Sequence, residues 1–154
     1  DTTFVFMLEA QARGHELYVL HPRDLFSRGD TAHARMRRIE VERADKHFHL
    51  YEERIEPLTW CQAVFMRKDP PFDLDFFFAT HLLSLVDPAK TFVLNRPSGL
   101  REANEKLYAL RFPEVIPRTL VSADMTQLKE FLEELGGEMI VKPLDGCGGA
   151  GVFH

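Results

Sequence analysis

Two periods of apolar and polar residues run along this chain and predict its elements. Over residues 2–13 the apolar Phe4, Val5, Leu8 and Ala12 recur at helical spacing behind Asp1, a residue suited to capping a helix, and Gly14 ends the run. Residues 15–20 read as a short strand of buried type. Residues 31–42 and 47–55 alternate polar with apolar around Ala44-Asp45-Lys46, with Met36, Ile39, Val41, Phe48, Leu50 and Tyr51 as the apolar members, which predicts an antiparallel hairpin. Residues 61–66 form a continuous apolar run that fits a central strand and breaks at Arg67-Lys68-Asp69-Pro70-Pro71. Residues 75–86 are apolar nearly all round and predict a helix packed on several sides, so Phe76, Phe77 and Phe78 read as core rather than as a stacking platform. Residues 91–94 read as another buried strand, closed by Asn95-Arg96-Pro97.

A second unit is expected to begin near Ser98. Residues 100–112 read as a helix stopped by Pro113, with Asn104, Glu105 and Lys106 on its polar side, and residues 118–121 as a strand. Ser122 is placed to cap a helix running to Leu135, with Leu128, Phe131, Leu132 and Leu135 at core spacing and Gly136 as the stop. Residues 138–142 return as a strand into a loop holding Gly146, Gly148, Gly149 and Gly151. Helices and strands in this order predict an α/β fold. An opening helix with no strand before it suggests a first strand further upstream, and a glycine loop at the other end suggests that the chain is a piece of a longer one.

Composition narrows the classes of function. The 154 residues are 45% apolar and 28% charged, enough for one domain or somewhat more, with a net charge of −5. That charge, without any long run of one sign, argues against nucleic acid and anionic membrane as partners, and the basic group Arg35-Met36-Arg37-Arg38 reads as a solvated strand face. No apolar run reaches the length of a membrane span. Cys61 and Cys147 lie far apart in unlike contexts and suggest neither a disulfide framework nor metal-ligand spacing, so a reducing cytoplasm is the default compartment. His47 and His49 would share one strand face without a third ligand, a pattern expected of a surface strand rather than of a metal site.

The chemistry concentrates where an apolar run, Met139-Ile140-Val141-Lys142-Pro143, enters the glycine loop. Glycines let several backbone N–H groups converge on an anion, and a lysine beside them adds a full positive charge. Gly146, Gly148 and Gly151 satisfy G-x-G-x-x-G, but a dinucleotide fold would need a helix to begin inside the loop, and a Walker-A loop would need Lys and Ser/Thr after its last glycine. What remains is a glycine flap between two antiparallel strands that closes over phosphates. Lys142 is then aimed at an anion rather than at solvent. Cys147 reads as a small tolerated loop side chain. Arg67 and Lys68 follow a buried strand, where ligands of open α/β sheets gather, and the two prolines would present them rigidly; a polar turn that merely ends a strand explains them equally well.

Several segments together resemble the bacterial-type glutathione synthetases of the ATP-grasp superfamily. They are Asp1-Thr2-Thr3-Phe4 with Met7-Leu8-Glu9-Ala10-Gln11, then Met66-Arg67-Lys68-Asp69-Pro70-Pro71-Phe72-Asp73, Asn95-Arg96-Pro97, Leu100-Arg101-Glu102-Ala103-Asn104-Glu105-Lys106-Leu107, and the run from Val141 to Gly149. The resemblance covers essentially all of the chain but only about half of such an enzyme. It implies a pre-ATP-grasp parallel-sheet domain over residues 1–97 and, over residues 98–154, the first part of the small α+β lobe of an ATP-grasp domain. It also implies that Lys106 and Lys142 contact ATP phosphates, that Gly146, Gly148, Gly149 and Gly151 fold over them, and that Thr2, Thr3, Arg67, Lys68 and Asp69 border a γ-glutamylcysteine site. ATP with Mg2+ would be the cofactor, with the metal ligands outside these residues, and γ-glutamylcysteine and glycine the other small-molecule partners. The family further suggests a homo-oligomer, possibly a tetramer. On this reading the parent protein is an ATP-dependent ligase and the present chain alone is inactive. Another ATP-grasp carboxylate–amine ligase, or a nucleotide binder that has lost the reaction, are the alternatives; a dehydrogenase is the weakest.

Overall fold

A computed structural model describes residues 1–154, which divide into two compact units, Asp1–Leu100 and Arg101–His154. In the first unit α1 (Thr2–Ala12) leads through Gly14, at φ +82°, into β1 (Leu17–Val19). A short helical turn, Pro22–Asp24, precedes β2 (Leu25–Arg28), and β3 (Thr31–Val41) and β4 (Phe48–Pro57) follow. All four strands pair antiparallel, with β3 between β1 and β2 on one side and β4 on the other. After a second short turn, Leu58–Trp60, come β5 (Ala63–Phe65), α2 (Leu74–Leu83) and β6 (Phe92–Leu94), and β5 pairs β6 in parallel. The molecule is thus mixed α/β. Parallel pairing is confined to β5 and β6, because the longer strands are joined by hairpin connections, which allow only the antiparallel arrangement.

The core lies where α2 covers the sheet. Leu25, Ala32, Ala34, Met36, Leu58, Ala79, Leu83 and Val86 form one buried cluster, with Tyr18, Val64 and Val93 packed against it. Along β3 the buried residues are Ala32, Ala34 and Met36, then Ile39 and Val41. The change of parity coincides with a register shift between Arg37 and Ile39, where a bulge turns the strand and sends the later residues to the other face. Gln11 ties α1 to the end of β3, its amide nitrogen donating to Val41 O at 3.0 Å and its oxygen accepting from Val41 N at 2.9 Å. Thr91 is buried at the start of β6, and its hydroxyl donates to Cys61 O at 2.7 Å.

Several expectations change. The half-buried side of α1 is Phe4, Met7, Leu8 and Gln11, whereas Val5 and Ala12 are exposed. Phe78 is 57% exposed, since the buried residues of α2 are Phe76, Ala79, Thr80 and Leu83, on the side that faces the rest of the first unit. Strand β4 leaves Phe48, Leu50 and Tyr51 exposed, because it sits at the sheet edge with nothing packed over it. Phe65 and Phe92 are likewise exposed, so the apolar run over residues 61–66 forms a two-stranded sheet rather than a central strand. His47 lies outside β4 and meets the Phe4 ring edge-on, while His49 pairs with Glu42 at 3.1 Å.

The second unit departs further. The single helix expected over residues 100–112 is two pieces, α3 (Pro97–Glu102) and a turn of 3-10 helix, Tyr108–Arg111, separated by a turn at Asn104. Residues 118–121 form no strand: Arg118 instead reaches Glu134 at 2.6 Å, and no second chain segment supplies ladder bonds. Helix α4 (Met125–Glu134) is capped by Asp124, which accepts from Thr126 N at 2.8 Å, while Ser122 lies two residues earlier and accepts from Asp124 N. Leu128, Phe131, Leu132 and Leu135 do share the half-buried face, and Gly136, at φ +82°, ends the helix. The strand expected over residues 138–142 shrinks to one antiparallel bridge between Val141 and Phe153. No helix of the chain is long and apolar enough to cross a membrane.

Candidate functional site

Two groups of polar residues stand out, one in each unit. In the second unit the bridge between Val141 and Phe153 closes the base of the glycine loop through reciprocal backbone bonds of 2.8 and 3.0 Å. Within the loop Ala150 N donates to Cys147 O and Val152 N to Gly149 O, which leaves the amides of Gly148 and Gly149 without an acceptor in the chain. Both residues have positive φ, +60° and +82°, a conformation in which only glycine is unstrained. Gly146 is required for a different reason. A Cβ there would lie 2.6 Å from Pro143 Cγ and 2.9 Å from Ala150 O, and the same proline ring stands 3.0 Å from a Cβ built at Gly151. Pro143 therefore pins both ends of the loop.

Lysine chemistry surrounds this loop. Lys106 donates from Nζ to Gly146 O at 2.7 Å and pairs with Glu105 at 2.7 Å, with its side chain 19% exposed. Lys142 is exposed on the strand segment that enters the loop. Lys106, by hydrogen bond and by charge, holds the Glu105 carboxyl below the usual carboxylate range, and the charge of Lys142 adds to the effect. Two cations thus act on one carboxylate. Both lysines line a cavity of about 650 Å3 together with Gly146, Cys147, Gly148 and Gly149. A concavity of this size with loose amides and two ammonium groups is suited to a polyphosphate.

Asn104, Glu105 and Lys106 reach that cavity from a turn rather than from the polar side of a helix. Asn104 Oδ1 accepts from Lys106 N at 3.0 Å and Leu107 N at 3.1 Å, a local side-chain turn that competes with helical bonding. Its Nδ2 donates to Leu144 O at 3.4 Å. Sequence reasoning missed the part played by Asn104, by Glu105 and by Pro143. An asparagine just ahead of Glu105-Lys106 was the available signal, since this residue type favours turns over helix interiors.

In the first unit Asp1 caps α1 by accepting from Thr3 N at 2.8 Å. Parallel pairing of β5 with β6 extends to a Met66 N to Leu94 O bond of 2.7 Å, and Arg67 leaves the strand end directly after it. Arg67 donates from Nε to Thr3 Oγ1 at 3.2 Å and stands 5.7 Å from the centre of the Phe6 ring. The structure therefore brings Thr3 and Arg67 together. Thr2 is the exposed first residue of α1, Lys68 donates to the backbone carbonyl of Asp69 at 2.6 Å, and the Asp69 side chain has no partner in the chain. Pro70–Pro71 is cis. Cys61 is half-buried, and burial raises the pKa of its thiol above the ordinary value; Cys147 is exposed. No group of three His, Cys, Asp or Glu side chains converges in a way that could hold a metal ion.

Comparison with known proteins bears on both units. The family described as prokaryotic glutathione synthetase, N-terminal domain, matches residues 1–101, and the one described as prokaryotic glutathione synthetase, ATP-grasp domain, matches residues 105–154. Over 155 aligned residues the chain is 44% identical to a glutathione synthetase of Yersinia pestis, 43% to one of Salmonella typhimurium and 41% to one of Coxiella burnetii. Each alignment covers 100% of this chain and 48% or 49% of the relative. The chain thus spans about half the length of the curated relatives it matches.

Proposed function

Since the chain belongs to the prokaryotic glutathione synthetase family, we propose that the full-length protein joins γ-glutamylcysteine and glycine at the expense of ATP, giving glutathione, ADP and phosphate. The observation that carries this reading is the convergence of Lys106, Lys142 and the glycine loop on one cavity. Residues 98–154 would be the start of the ATP-grasp domain, with Lys106, Lys142, Gly146, Gly148, Gly149 and Gly151 around the nucleotide phosphates. Residues 1–97 would form the pre-ATP-grasp domain, with Thr2, Thr3, Arg67, Lys68 and Asp69 at the peptide site; the Thr3–Arg67 contact supports their acting as a group.

The chemistry asks little acid–base work of side chains. The cysteinyl carboxylate of γ-glutamylcysteine attacks the γ-phosphorus of ATP, the bond to the β-phosphate oxygen breaks, and ADP leaves. Glycine's amine then attacks the resulting acyl phosphate, losing a proton as phosphate departs. Residues of this chain would contribute position and charge: Lys106 and Lys142 offset the negative charge gathered on the phosphates, and the loop amides fix their place. A loop closed over the site also keeps water from the acyl phosphate. Mg2+ would supply further charge neutralisation when bound with ATP. Its ligands are proposed to lie in the part of the family's length that this chain does not span.

The test is ADP release by the full-length protein with Mg-ATP, omitting γ-glutamylcysteine and glycine in turn. Release that needs both, and that falls at least 100-fold in Lys142→Ala, as expected for a charged contact to a transferring phosphoryl group, supports the reading. Release with a different acid and amine would keep the ATP-grasp chemistry and discard the substrates. Nucleotide binding without release from any pair would leave a nucleotide binder without the ligase reaction.

A further inference from the structure

We propose that Asn104 is a positioning residue for the nucleotide, acting through Lys106 and the glycine loop. The inference rests on the nucleotide reading above and adds a residue to it. One carboxamide does two things here. Its oxygen accepts from the backbone amides of Lys106 and Leu107, at 3.0 and 3.1 Å, and so shapes the turn from which the Lys106 side chain departs. Its nitrogen donates to Leu144 O at 3.4 Å, across forty positions of sequence, onto the segment that leads into the loop. Lys106 makes the parallel link two residues further along each segment, from Nζ to Gly146 O at 2.7 Å. The turn and the loop are therefore joined by two rungs, one from Asn104 and one from the lysine itself.

The rungs are not equivalent. Two of the three donors of the Lys106 ammonium are engaged, by Gly146 O and by Glu105, so an incoming phosphate can take the third or displace either acceptor, and the lysine rung is exchangeable during binding. The Asn104 rung touches nothing that a phosphate would replace. It keeps the turn against the loop while the ammonium changes partners. Few residues could substitute: aspartate retains the acceptor but has no donor for the Leu144 carbonyl, and alanine has neither.

The experiment is steady-state kinetics of the full-length protein carrying Asn104→Ala, Asn104→Asp, Lys106→Ala and the double variant Asn104→Ala/Lys106→Ala. Loss of a hydrogen-bonded rung predicts a KM for ATP raised about five- to tenfold in Asn104→Ala, with Asn104→Asp between it and the wild type. The KM for γ-glutamylcysteine should stay within about twofold, and the alanine at 104 should add less than about twofold once Lys106 is gone, because coupled residues are not additive. Equal rises in both KM values, or full additivity in the double variant, would overturn the proposal and make Asn104 a general structural residue. A wild-type protein with no saturable ATP requirement would instead overturn the nucleotide reading and this inference with it. Wild-type saturation with Asn104→Ala unchanged would overturn the inference alone.

Discussion

At the scale of single residues, the loop's constraints differ from glycine to glycine. Gly146 is held by contact and Gly148 by its backbone angle, so alanine fails at each for a separate reason. Overpacking against the Pro143 ring and Ala150 O should make Gly146→Ala destabilising by about 1–3 kcal/mol, measurable in denaturant unfolding. The charge pattern beside the loop also titrates in a defined direction. Because Lys106 lowers the folded-state pKa of Glu105, the pair's contribution is present above the unfolded carboxylate value and is lost as pH falls through the lowered one. A carboxyl-carbon NMR titration should therefore place the Glu105 midpoint below that of an ordinary glutamate, and Lys106→Met should return it upward. The two thiols separate by burial: a neutral alkylating reagent near pH 7 should label Cys147 first, with Cys61 slower and gaining rate at higher pH, as mass spectrometry would read.

Elements show where pattern suffices and where it does not. Periodicity located α1 and α4, whose half-buried residues share one face, and the β3–β4 hairpin through the alternation along β3, whereas α2 was legible as a run that is apolar nearly all round. It could not locate the bulge in β3, although Met36 and Ile39 are three apart in a strand whose period is two. Strand β2 went unread because Leu25-Phe26-Ser27-Arg28 is too short to show a period, and it is formed by pairing with β3. The same limit overstated residues 100–112, 118–121 and 138–142, where apolar composition is present but neighbours that would bury it are few. For the site, the glycine loop and Lys142 were legible from residue type, whereas Lys106 rested on resemblance, and its setting depends on a side-chain turn at Asn104 that no period records. Two substitutions test the element-level account. Leu58→Ala, at a fully buried position between β4 and β5, should cost about 2–5 kcal/mol. Thr91→Val should cost about 1–3 kcal/mol by leaving the Cys61 carbonyl without its donor, and both are checked by urea unfolding.

Across the whole molecule, burial is unequal. Every fully buried residue lies at or before Pro97, and none lies in the unit that carries the glycine loop. Amides of β3 should therefore exchange with solvent only on global opening, while those of α4 exchange through local opening at much lower free energy, a difference that hydrogen exchange resolves. By mass action a ligand that binds only the ordered form at one hundred times its dissociation constant adds about 2.7 kcal/mol to that form's stability. A nucleotide held by Lys106, Lys142 and the loop amides would therefore tie the turn at Asn104 to the glycine loop through a further set of contacts, and protection of those amides from exchange would rise with added ATP.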